Sequence, residues 1–393
     1  MEYNPFLPEV KANPYPYYAQ LRQHAPVYQV EGAGMWAVSR YDDVLEVLKS
    51  PDRFSSKILM TALLGDLNPV PNASNLIASD PPVHTRLRKL VNRGFTRRMI
   101  AALEPRMRAI TTELLAPLAS RGACDLVHDL STPLPVIVIA EMLGVEPDHR
   151  GQFKRWSDDI VGATNGVAGD ERKRVAQSIA EFRDYFQRAI ELRRTEPKND
   201  LITALVRAEE EQQMLTSEEV LSLTTLLLIA GNETTTNLIG NAMIALLDHP
   251  ETMARVSSDP TLIPKVVEEA LRYDGPVQGI FRQATEDVNL AGARIPAGAM
   301  VLPLFASADR DERQFPNSEQ FDIDRNTDGH LAFGFGTHFC LGAPLARLEA
   351  KIALEELLAR FHRIAQKEPT VTRIDSFILR GPKTLPLTLE AIA

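Results

Sequence analysis

Residues 333–342 read FGFGTHFCLG, which places a cysteine, Cys340, in a loop rich in glycine and aromatic side chains. Gly334 and Gly336 permit backbone conformations and a close approach that a side chain would forbid, so a flat macrocycle can lie against the main chain. The residues after the loop continue into a strongly helical run with a proline in its first turn. Because the N-terminus of a helix is electropositive, it favours the thiolate form of a preceding cysteine. These features predict an anionic sulfur ligand for a metal held in a flat ring.

The spacing F-x-x-G-x-x-x-C-x-G, carried by Phe333, Gly336, Cys340 and Gly342, resembles the haem-binding signature of the cytochrome P-450 superfamily. The resemblance implies a bound haem b (iron protoporphyrin IX) with Cys340 as its axial thiolate ligand and Gly334 beside the ring. It also implies that Phe333 packs near the sulfur and tunes its potential. The alternative is that Cys340 is an ordinary buried thiol, since cysteine is often a core residue. Two further motifs upstream favour the haem interpretation.

A long apolar helix carries the first of these motifs. Its start is indicated by a capping box, Thr216 to Glu219, and its end by the residues 248–250, DHP. At about 31 residues the helix would be roughly 46 Å long. Within it, residues 230–235 read AGNETT, and an acid and a hydroxyl in an apolar helix are costly unless they have partners or a function.

This run resembles the oxygen-activation motif of the same superfamily, A/G-G-x-D/E-T-T. The resemblance implies a widened helical turn at Ala230 and Gly231 above the iron, where dioxygen and a water bind. Thr234 would hold the oxygen, and Glu233 would relay protons from solvent so that the O–O bond breaks. Taken alone, Thr234 has a simpler interpretation, which is a hydrogen bond to the carbonyl one turn earlier.

The second motif is a charged pair in a short amphipathic helix. Glu269 and Arg272 are three residues apart, so they face the same side of the helix and can form an ion pair. They resemble the E-x-x-R motif of the superfamily, which implies a structural role: the pair locks the coil that precedes the cysteine loop. By the same resemblance, Arg325 completes this network.

A haem carries two propionates, which need basic or hydrogen-bonding groups once they are partly buried. His84 and Arg88 are four residues apart on one face of a helix that looks like the propionate-binding helix of the superfamily. Arg282 and His338 match the remaining propionate contacts by resemblance. Each of the four, taken singly, has the alternative of a solvated surface group.

Two segments and a set of apolar positions are expected around the substrate. Ser55 to Ser79 is rich in apolar, proline and asparagine residues and predicts a long, partly ordered loop. Ile160 to Gly169 is rich in small residues, which suits either a moving lid or a plain connector between helices. By their relation to the matched motifs, and beside Ala230 and Gly231, the residues expected to line the distal pocket are Leu227, Val277, Gln278, Ile280, Phe377 and Ile378.

Composition and charge argue against several other classes of protein. The net charge is −9 over 393 residues, which argues against general nucleic-acid binding. With only two cysteines, Cys124 and Cys340, a disulfide framework is not expected, which predicts a reducing compartment. The N-terminal residues lack a basic region followed by an apolar stretch, and the most apolar run, Leu221 to Gly231, is too short for a membrane span. We therefore expect a cytoplasmic monomer without a membrane anchor.

The pattern of elements predicts a mainly α protein with small β-sheets, the α+β class. Val27 to Val38 alternates around a glycine-rich turn and predicts a hairpin. The resemblance implies the cytochrome P-450 fold, with the haem between the long central helix and the helix after the cysteine loop. We expect one domain over residues 1–393, with a β-richer part at 1–55, a helical core at 81–275, and sheets with the cysteine loop at 276–393.

The resemblance implies a haem-thiolate monooxygenase that inserts one atom of dioxygen into a hydrophobic small molecule, by hydroxylation or epoxidation. No flavin or iron–sulfur segment is recognisable in this chain, so electrons from NAD(P)H would arrive through a separate ferredoxin and its reductase, or through a flavodoxin. An acidic carrier would dock on a basic proximal patch, although scattered solvated charges are the alternative. The candidates for this patch are Arg93, Arg97, Arg98, Arg347 and Lys351.

Other functions remain open on the sequence. A haem-thiolate peroxygenase would use peroxide directly and would not need the pair of Glu233 and Thr234. A haem sensor would not require a distal acid and alcohol, and a helical scaffold without haem would leave the motifs unexplained. The presence of both residues of the pair therefore favours the monooxygenase.

Overall fold

Helices form most of the structure, a computed structural model that describes residues 3–163, 167–210 and 213–392. In chain order the α-helices of these residues are α1 (Pro8–Ala12), α2 (Tyr15–His24), α3 (Tyr41–Lys49), α4 (Leu59–Leu64), α5 (Val83–Gly94), α6 (Arg97–Ala102), α7 (Glu104–Arg121), α8 (Pro133–Met142), α9 (Arg150–Ala163), α10 (Gly169–Thr195), α11 (Leu201–Val206), α12 (Ser217–Asp248), α13 (Pro250–Ser258), α14 (Ile263–Tyr273), α15 (Phe305–Ala308) and α16 (Ala343–Arg360). Turns of 3₁₀ helix lie at Gly65–Leu67, Pro147–His149, Pro260–Leu262 and Gly336–His338, and a π-helical turn lies at Val127–Ser131. The predicted mainly α class is confirmed.

The strands are short and lie in small sheets. They are β1 (Val27–Val30), β2 (Met35–Val38), β3 (Phe54–Ser55), β4 (Ala123–Asp125), β5 (Glu209–Glu210), β6 (Gln213–Met214), β7 (Arg282–Ala284), β8 (Val288–Leu290), β9 (Ala293–Ile295), β10 (Met300–Pro303), β11 (Phe361–Gln366) and β12 (Pro386–Ala391). One sheet has the strand order β1-β2-β10-β7-β3, and another has the order β11-β12-β4. The pairs β5-β6 and β8-β9 form separate two-stranded sheets.

The chain divides into two compact units, each built from separated stretches of sequence. The first unit comprises Met1–Ser55, Pro105–Leu134 and Thr234–Ala393. The second comprises Ser56–Glu104 and Pro135–Glu233. The boundary between the two falls inside α12.

The larger sheet of the first unit accounts for the alternating pattern near the N-terminus. β1 and β2 are antiparallel, with Val27 opposite Val38, so the predicted hairpin is confirmed. β10 pairs in parallel with β2 and antiparallel with β7. The core of this region joins apolar side chains of the strands and of α3, among them Val38, Val44, Phe54, Val301 and Leu331. Because Leu331 lies just before the cysteine loop, this core also anchors the entrance of that loop.

Two glycines of the first unit, Gly240 and Gly381, allow α12 to lie close to the backbone at Gly381 and Pro382. A Cβ atom at Gly240 would meet the Cγ of Pro382 at 2.5 Å. A Cβ atom at Gly381 would overlap the side chain of Asn237. Glycine is therefore required at both positions for this approach of the two backbones.

Helix α12 begins and ends within one residue of the sequence-based expectation. Thr216 Oγ1 accepts a hydrogen bond from the Glu219 N–H at 3.1 Å, and Glu219 Oε2 accepts one from the Thr216 N–H at 3.0 Å, so the capping box is confirmed. The helix is α-helical over all its 32 residues, so the widened turn expected at Gly231 is not seen. Gly231 instead makes room for Ile139 of α8, whose Cδ1 lies 3.3 Å from the position of a Cβ.

The segment from Ser55 to Ser79, predicted as an irregular loop, contains α4 and a 3₁₀ turn before it becomes coil. That part of the prediction is wrong, because an apolar run buries Leu59, Met60 and Leu64 on one helix. The coil that follows is held in the second unit, where the Asn75 side-chain amide donates to Ser222 Oγ at 3.0 Å.

The expected lid from Ile160 to Gly169 is only partly described. Helix α9 ends at Ala163 and α10 begins at Gly169, and residues 164–166 of the expected lid lie outside the described residues. Helix α10 contacts the segment after α4 at two points, because Arg172 pairs with Asp66 and Arg183 Nη1 donates to the Pro69 carbonyl at 2.6 Å. Among the described residues, no helix has the length and apolar character needed to cross a membrane.

Replacing Gly240 with alanine tests the close approach of α12 to Pro382. Alanine in a helix interior is normally more favourable than glycine by about 1 kcal/mol, but here the new Cβ would overlap the proline ring. We expect Gly240→Ala to lower the free energy of unfolding, measured by urea denaturation, by about 1–3 kcal/mol. Gly151→Ala in α9, with no heavy atom within 4 Å of the new Cβ, is the control and should raise it slightly. An equal gain in both variants would contradict the close approach.

Candidate functional site

The cysteine loop is closed by hydrogen bonds of its own main chain. The Cys340 N–H donates to the Phe333 carbonyl at 2.9 Å, and the Gly334 N–H donates to the Leu331 carbonyl at 2.7 Å. Gly334 and Gly336 have φ values of 68° and 66°, a region that favours glycine, so the expected special backbone conformations are present. The main-chain hydrogen bonds and the two glycines therefore fix the shape of the loop.

The two cysteines occupy different environments. Cys124 is buried, and burial, reinforced by nearby aspartates, raises the pKa of its thiol to about 12. Cys340 is half-buried, and α16 begins three residues after it with a proline in the first turn. Phe335 and Phe339 of the same loop are 40% and 41% exposed, so the loop presents aromatic rings instead of packing them in a core.

Two features of the cysteine loop suit the binding of a haem. Its glycines leave the main chain open to a flat ring, and its sulfur precedes a helix N-terminus, which favours a thiolate. Among the residues that the structure describes, no group of three or more His, Cys, Asp and Glu could hold a metal ion. A cysteine in a glycine-rich loop before a helix N-terminus fits the thiolate ligand of a haem iron, which is the site of the haem-thiolate class of proteins.

Helix α12 carries a partly exposed stripe along an otherwise buried face. Leu227, Ala230, Gly231 and Thr234 are three or four residues apart, so they share one side of the helix, and each is partly or fully exposed. Glu233 lies beside this stripe, and burial raises its pKa, which favours a proton on the carboxyl group closer to neutral pH. The structure thus groups on one helix face four of the distal residues predicted from the sequence, with Glu233 next to them.

The polar residues that flank this stripe have structural partners. The Asn232 side-chain amide donates to Ser157 Oγ at 2.5 Å in the second unit, and Thr236 Oγ1 donates to the Ser131 carbonyl at 3.0 Å in the first. Thr224 and Thr225 donate their hydroxyls to carbonyls one turn earlier, the arrangement considered above for Thr234.

The sequence analysis missed Glu349, an acid buried in α16. Burial raises the pKa of Glu349 to about 8, and a hydrogen bond with the Thr235 side chain acts in the opposite direction. Glu349 is therefore largely protonated at neutral pH. The available signal was a carboxylate on the apolar face of the helix that follows Cys340, a position where an acid is costly.

Glu269 and Arg272 form a fully buried ion pair at the C-terminal end of α14. Arg272 Nε and Nη2 donate to the two carboxylate oxygens of Glu269, each at 2.7 Å. The same guanidinium reaches the carbonyls of Asp309 at 2.9 Å, Ser318 at 3.0 Å and Gln320 at 3.1 Å. The pair thereby fixes three points of the coil that leads to the cysteine loop.

Arg325 lies next to this pair. Its Nε is 3.4 Å from Glu269 Oε1, and its Nη2 donates to the Asn317 carbonyl at 2.8 Å. The Asp322 N–H also donates to Glu269 Oε1, at 2.9 Å. The structure therefore brings together all three residues that the sequence assigned to the structural network.

The expected propionate ligands lie on elements of both units. In the first unit Arg282 is buried at the start of β7 and donates to the Phe281 carbonyl at 2.8 Å, and His338 is half-buried in the cysteine loop. In the second unit His84 and Arg88 share a face of α5. Burial, reinforced by the Arg88 guanidinium, lowers the pKa of His84 to about 4, so its imidazole is neutral at pH 7.

The residues expected to line the pocket beyond α12 are engaged to different degrees. Gln278 is buried, accepts from the Tyr18 hydroxyl at 3.2 Å and donates to the Gly275 carbonyl at 3.0 Å, so its amide is occupied within the fold. Phe377 packs against Phe6, with ring centroids 4.8 Å apart. The remaining three, all half-buried, are Val277, Ile280 and Ile378.

The proposed basic patch is weaker than its formal charges indicate. Arg347 makes a two-pronged contact with Glu268, and Lys351 Nζ lies 3.5 Å from Glu355. The charges of both residues are therefore compensated within the first unit. In the second unit the remaining candidates are exposed, and they are Arg93, Arg97 and Arg98.

Comparison with known proteins gives the family. Residues 5–389 match the family model described as Cytochrome P450. Cytochrome P450 monooxygenase PikC of Streptomyces venezuelae is 43% identical over 390 residues, which cover 96% of this chain and 91% of PikC. The structure of cytochrome P450 CYP109Q5 from Chondromyces apiculatus has a TM-score of 0.92 at 46% identity and covers 100% of this chain and 99% of its own. CYP109E1 from Bacillus megaterium in complex with corticosterone has a TM-score of 0.89 at 41% identity, with 97% of this chain and 99% of that chain covered.

The chain belongs to the cytochrome P450 family. Its fold is the cytochrome P450 fold that the motifs predicted, and the enzyme is an oxidoreductase of the monooxygenase type. The family uses haem with a cysteine thiolate as the axial ligand, which confirms the predicted cofactor.

Removing the guanidinium of Arg272 tests the role of the buried pair. Arg272→Met leaves the Glu269 carboxylate buried without its cation, and we expect the free energy of unfolding to fall by about 3–5 kcal/mol in urea denaturation. Arg294→Met is the control, because Arg294 pairs with Asp287 at 2.6 Å on an exposed hairpin, where we expect no measurable change. Equal effects of the two substitutions would contradict a special role for the buried pair.

Proposed function

We propose that this enzyme inserts one oxygen atom of dioxygen into a hydrophobic small molecule, with Cys340 as the axial ligand of its haem. The balanced reaction is R–H + O₂ + 2 e⁻ + 2 H⁺ giving R–OH + H₂O, and addition of the oxygen to a double bond gives an epoxide instead. When bound, haem supplies the iron at which dioxygen is reduced. The observation that carries the proposal is the half-buried Cys340 in a glycine-shaped loop directly before the N-terminus of α16.

The residues around Cys340 would hold its sulfur in the anionic form. The positive end of α16 favours a thiolate, and the hydrogen bond from the Cys340 N–H to the Phe333 carbonyl fixes the backbone that carries it. Phe333 lies at the start of the same loop, where its ring would limit the access of water to the sulfur.

Glu233 and Thr234 would deliver the two protons that the reaction consumes. Because burial raises the pKa of Glu233, its carboxyl group takes up a proton more readily than that of an exposed glutamate and would release it inward. Thr234, on the partly exposed stripe of α12, would pass on the proton with its hydroxyl, which can both donate and accept.

His84, Arg88, Arg282 and His338 would bind the two propionates. Arg88 and Arg282 supply permanent positive charge, and His84, neutral at pH 7, supplies a hydrogen bond. This division of roles suits a partly buried carboxylate, which needs compensation of its charge and satisfaction of its remaining lone pairs.

The substrate would be a predominantly apolar molecule. Leu227 and Ala230 give the partly exposed stripe an apolar surface, which suits an apolar substrate. The structural relative CYP109E1 binds corticosterone, which makes this steroid the first probe for a shift in the spin state of the iron. Hydroxylation and epoxidation are both within the chemistry proposed, and pocket contacts from Val277, Ile280, Phe377 and Ile378 would select the position.

Electrons would come from NAD(P)H through a separate ferredoxin or flavodoxin. The exposed side chains of Arg93, Arg97 and Arg98 support this proposal, because an acidic carrier binds to clustered cations. We further propose that the whole chain acts as one catalytic domain and as a monomer, since the family match spans residues 5–389. A reducing, cytoplasmic environment would suit a chain that has no disulfide pair.

The carbon monoxide difference spectrum of the reduced protein tests the ligand assignment. We expect the wild type to show the band typical of thiolate-ligated haem and Cys340→Ser to lose it. Cys124→Ala, which changes only the buried thiol, should keep the band and serves as the control. Retention of the thiolate band by Cys340→Ser would refute the assignment.

Thr234→Ala tests the proton-delivery role. We expect haem and substrate binding to be retained, while product formed per NADH falls by about 10-fold or more and peroxide accumulates, in turnover with a ferredoxin and its reductase. Thr224→Ala is the control, because the Thr224 hydroxyl donates to the Val220 carbonyl in the same helix at 2.9 Å. Unchanged coupling in Thr234→Ala would refute proton delivery, and full turnover with peroxide alone would indicate a peroxygenase.

A further inference from the structure

Glu268 stands directly before the buried Glu269 but binds different partners. Arg347 Nε donates to Glu268 Oε1 at 2.6 Å, and Arg347 Nη2 donates to Oε2 at 2.9 Å. His330 Nε2 lies 3.2 Å from the same Oε2. Since His330 precedes the cysteine loop and Arg347 follows it, one carboxylate on α14 contacts both flanks of the loop. We call Glu268, Arg347 and His330 the Glu268 cluster.

The cluster reaches the cysteine loop through Phe333. The guanidinium carbon of Arg347 lies 4.5 Å from the centre of the Phe333 ring, within the range of a cation–π contact. The His330 and Phe333 rings have centroids 6.0 Å apart. The Phe333 carbonyl accepts the hydrogen bond from the Cys340 N–H at 2.9 Å. A continuous set of contacts therefore leads from the Glu268 carboxylate to the backbone of Cys340.

The hydrogen bonds around His330 fix the orientation of its ring and the position of its proton. The Ala332 N–H donates to His330 Nδ1 at 3.3 Å, so Nδ1 is an acceptor and the ring proton lies on Nε2, where it can donate to Glu268. On the other side, the Leu331 N–H donates to Asp309 Oδ1 at 2.5 Å. The short segment before Phe333 is thus held from two directions.

The Glu268 side chain is negatively charged at neutral pH. Burial raises the pKa of this carboxyl group, but hydrogen bonds from His330 and Arg347 outweigh burial and lower the pKa to about 2. Glu268 therefore remains anionic and compensates the Arg347 cation. A paired Arg347 is also less suited to bind an acidic electron carrier than its place in the expected basic patch implies.

We propose that Glu268 is a positioning residue for the thiolate of Cys340: it holds Arg347 on the Phe333 ring and thereby fixes the loop that carries the sulfur. The proposal rests on the assignment of Cys340 as the haem ligand. A purely structural alternative is that Glu268 only joins α14 to α16. The two differ in their consequences, because a positioning residue changes the properties of the bound haem and a structural clamp changes stability alone.

Glu268→Gln in the full-length holoprotein separates the two. The substitution keeps the size of the side chain and removes its charge, so the fork with Arg347 weakens and the Arg347 cation, which lies over the Phe333 ring, loses its counter-charge. We expect a higher reduction potential of the haem, because an added electron meets less negative charge. We also expect the thiolate form to convert to the form with a neutral ligand roughly 10-fold faster at mild heating, followed by the carbon monoxide difference spectrum.

Arg347→Lys is the second variant, since lysine keeps the charge but cannot form the fork or stack on the ring as a plane. It should show the same faster loss of the thiolate form, and it decides the matter if Glu268→Gln does not accumulate as folded protein. Glu113→Gln is the matched control, because Glu113 pairs with Arg106 at 2.9 Å on the surface of α7. The control should match the wild type in potential and spectrum.

The possible results are distinct. If Glu268→Gln and Arg347→Lys unfold at a lower temperature but match the wild type in reduction potential and in the rate of thiolate loss, the cluster is only a clamp and the proposal is overturned. If the wild type itself lacks the thiolate band, the assignment of Cys340 fails first, and with it the basis of the positioning role. A higher reduction potential in Glu268→Gln and faster thiolate loss in both variants, without change in Glu113→Gln, support the proposal.

Discussion

The buried ion pair of Glu269 and Arg272 is the interaction on which the cysteine loop depends. Taking a carboxylate and a guanidinium out of water costs several kcal/mol per ion, and their attraction offsets this only when the remaining donors and acceptors are also satisfied. Here the guanidinium also reaches three backbone carbonyls, and the carboxylate accepts from the Asp322 N–H. The coil that leads from α15 to the cysteine loop, which the structure describes in full, contains no helix or strand of its own. The ion pair therefore fixes the position of this coil, and with it the start of the cysteine loop.

A second constraint is that α12, a mostly apolar helix, carries polar and ionisable side chains at its centre. The polar side chains that flank the stripe on α12 form hydrogen bonds with neighbouring residues: Asn232 with Ser157, Thr236 with the Ser131 carbonyl, and Thr235 with Glu349. These contacts offset the cost of burying amide and hydroxyl groups. The helix can therefore carry an acid and an alcohol at its centre without losing its regular hydrogen bonding.

The parts of the structure that local sequence controls were predictable. The positive φ values of Gly334 and Gly336, the capping box at Thr216 and the hairpin from Val27 to Val38 each follow from residues a few positions apart. The parts that depend on distant partners were not. The sequence could not show that Ile139 occupies the space beside Gly231, or that α4 buries its side chains in a segment with few charges.

Side-chain partners across the fold were the least predictable feature of the site. Gln278 was expected at the substrate pocket, but its amide bonds Tyr18, which is 260 positions away in sequence. Arg347 was expected to be a surface cation, but Glu268, which is 79 positions away, pairs with it. Neither pairing leaves a mark in the hydrophobic period of its own helix or strand, because the period reports burial and not the identity of the neighbour.

The two cysteines of the chain differ in reactivity as well as in position. Cys124 is 5% exposed and its thiol has a raised pKa, so it is a poor nucleophile at neutral pH, whereas Cys340 is half-buried ahead of a helix N-terminus. An alkylating reagent would therefore modify haem-free protein at a single sulfur, and iron coordination would protect that sulfur in the holoprotein. Labelling thus measures the apoprotein fraction of a preparation. The same selectivity means that oxidation of Cys340 beyond the sulfenic acid would make haem loss irreversible.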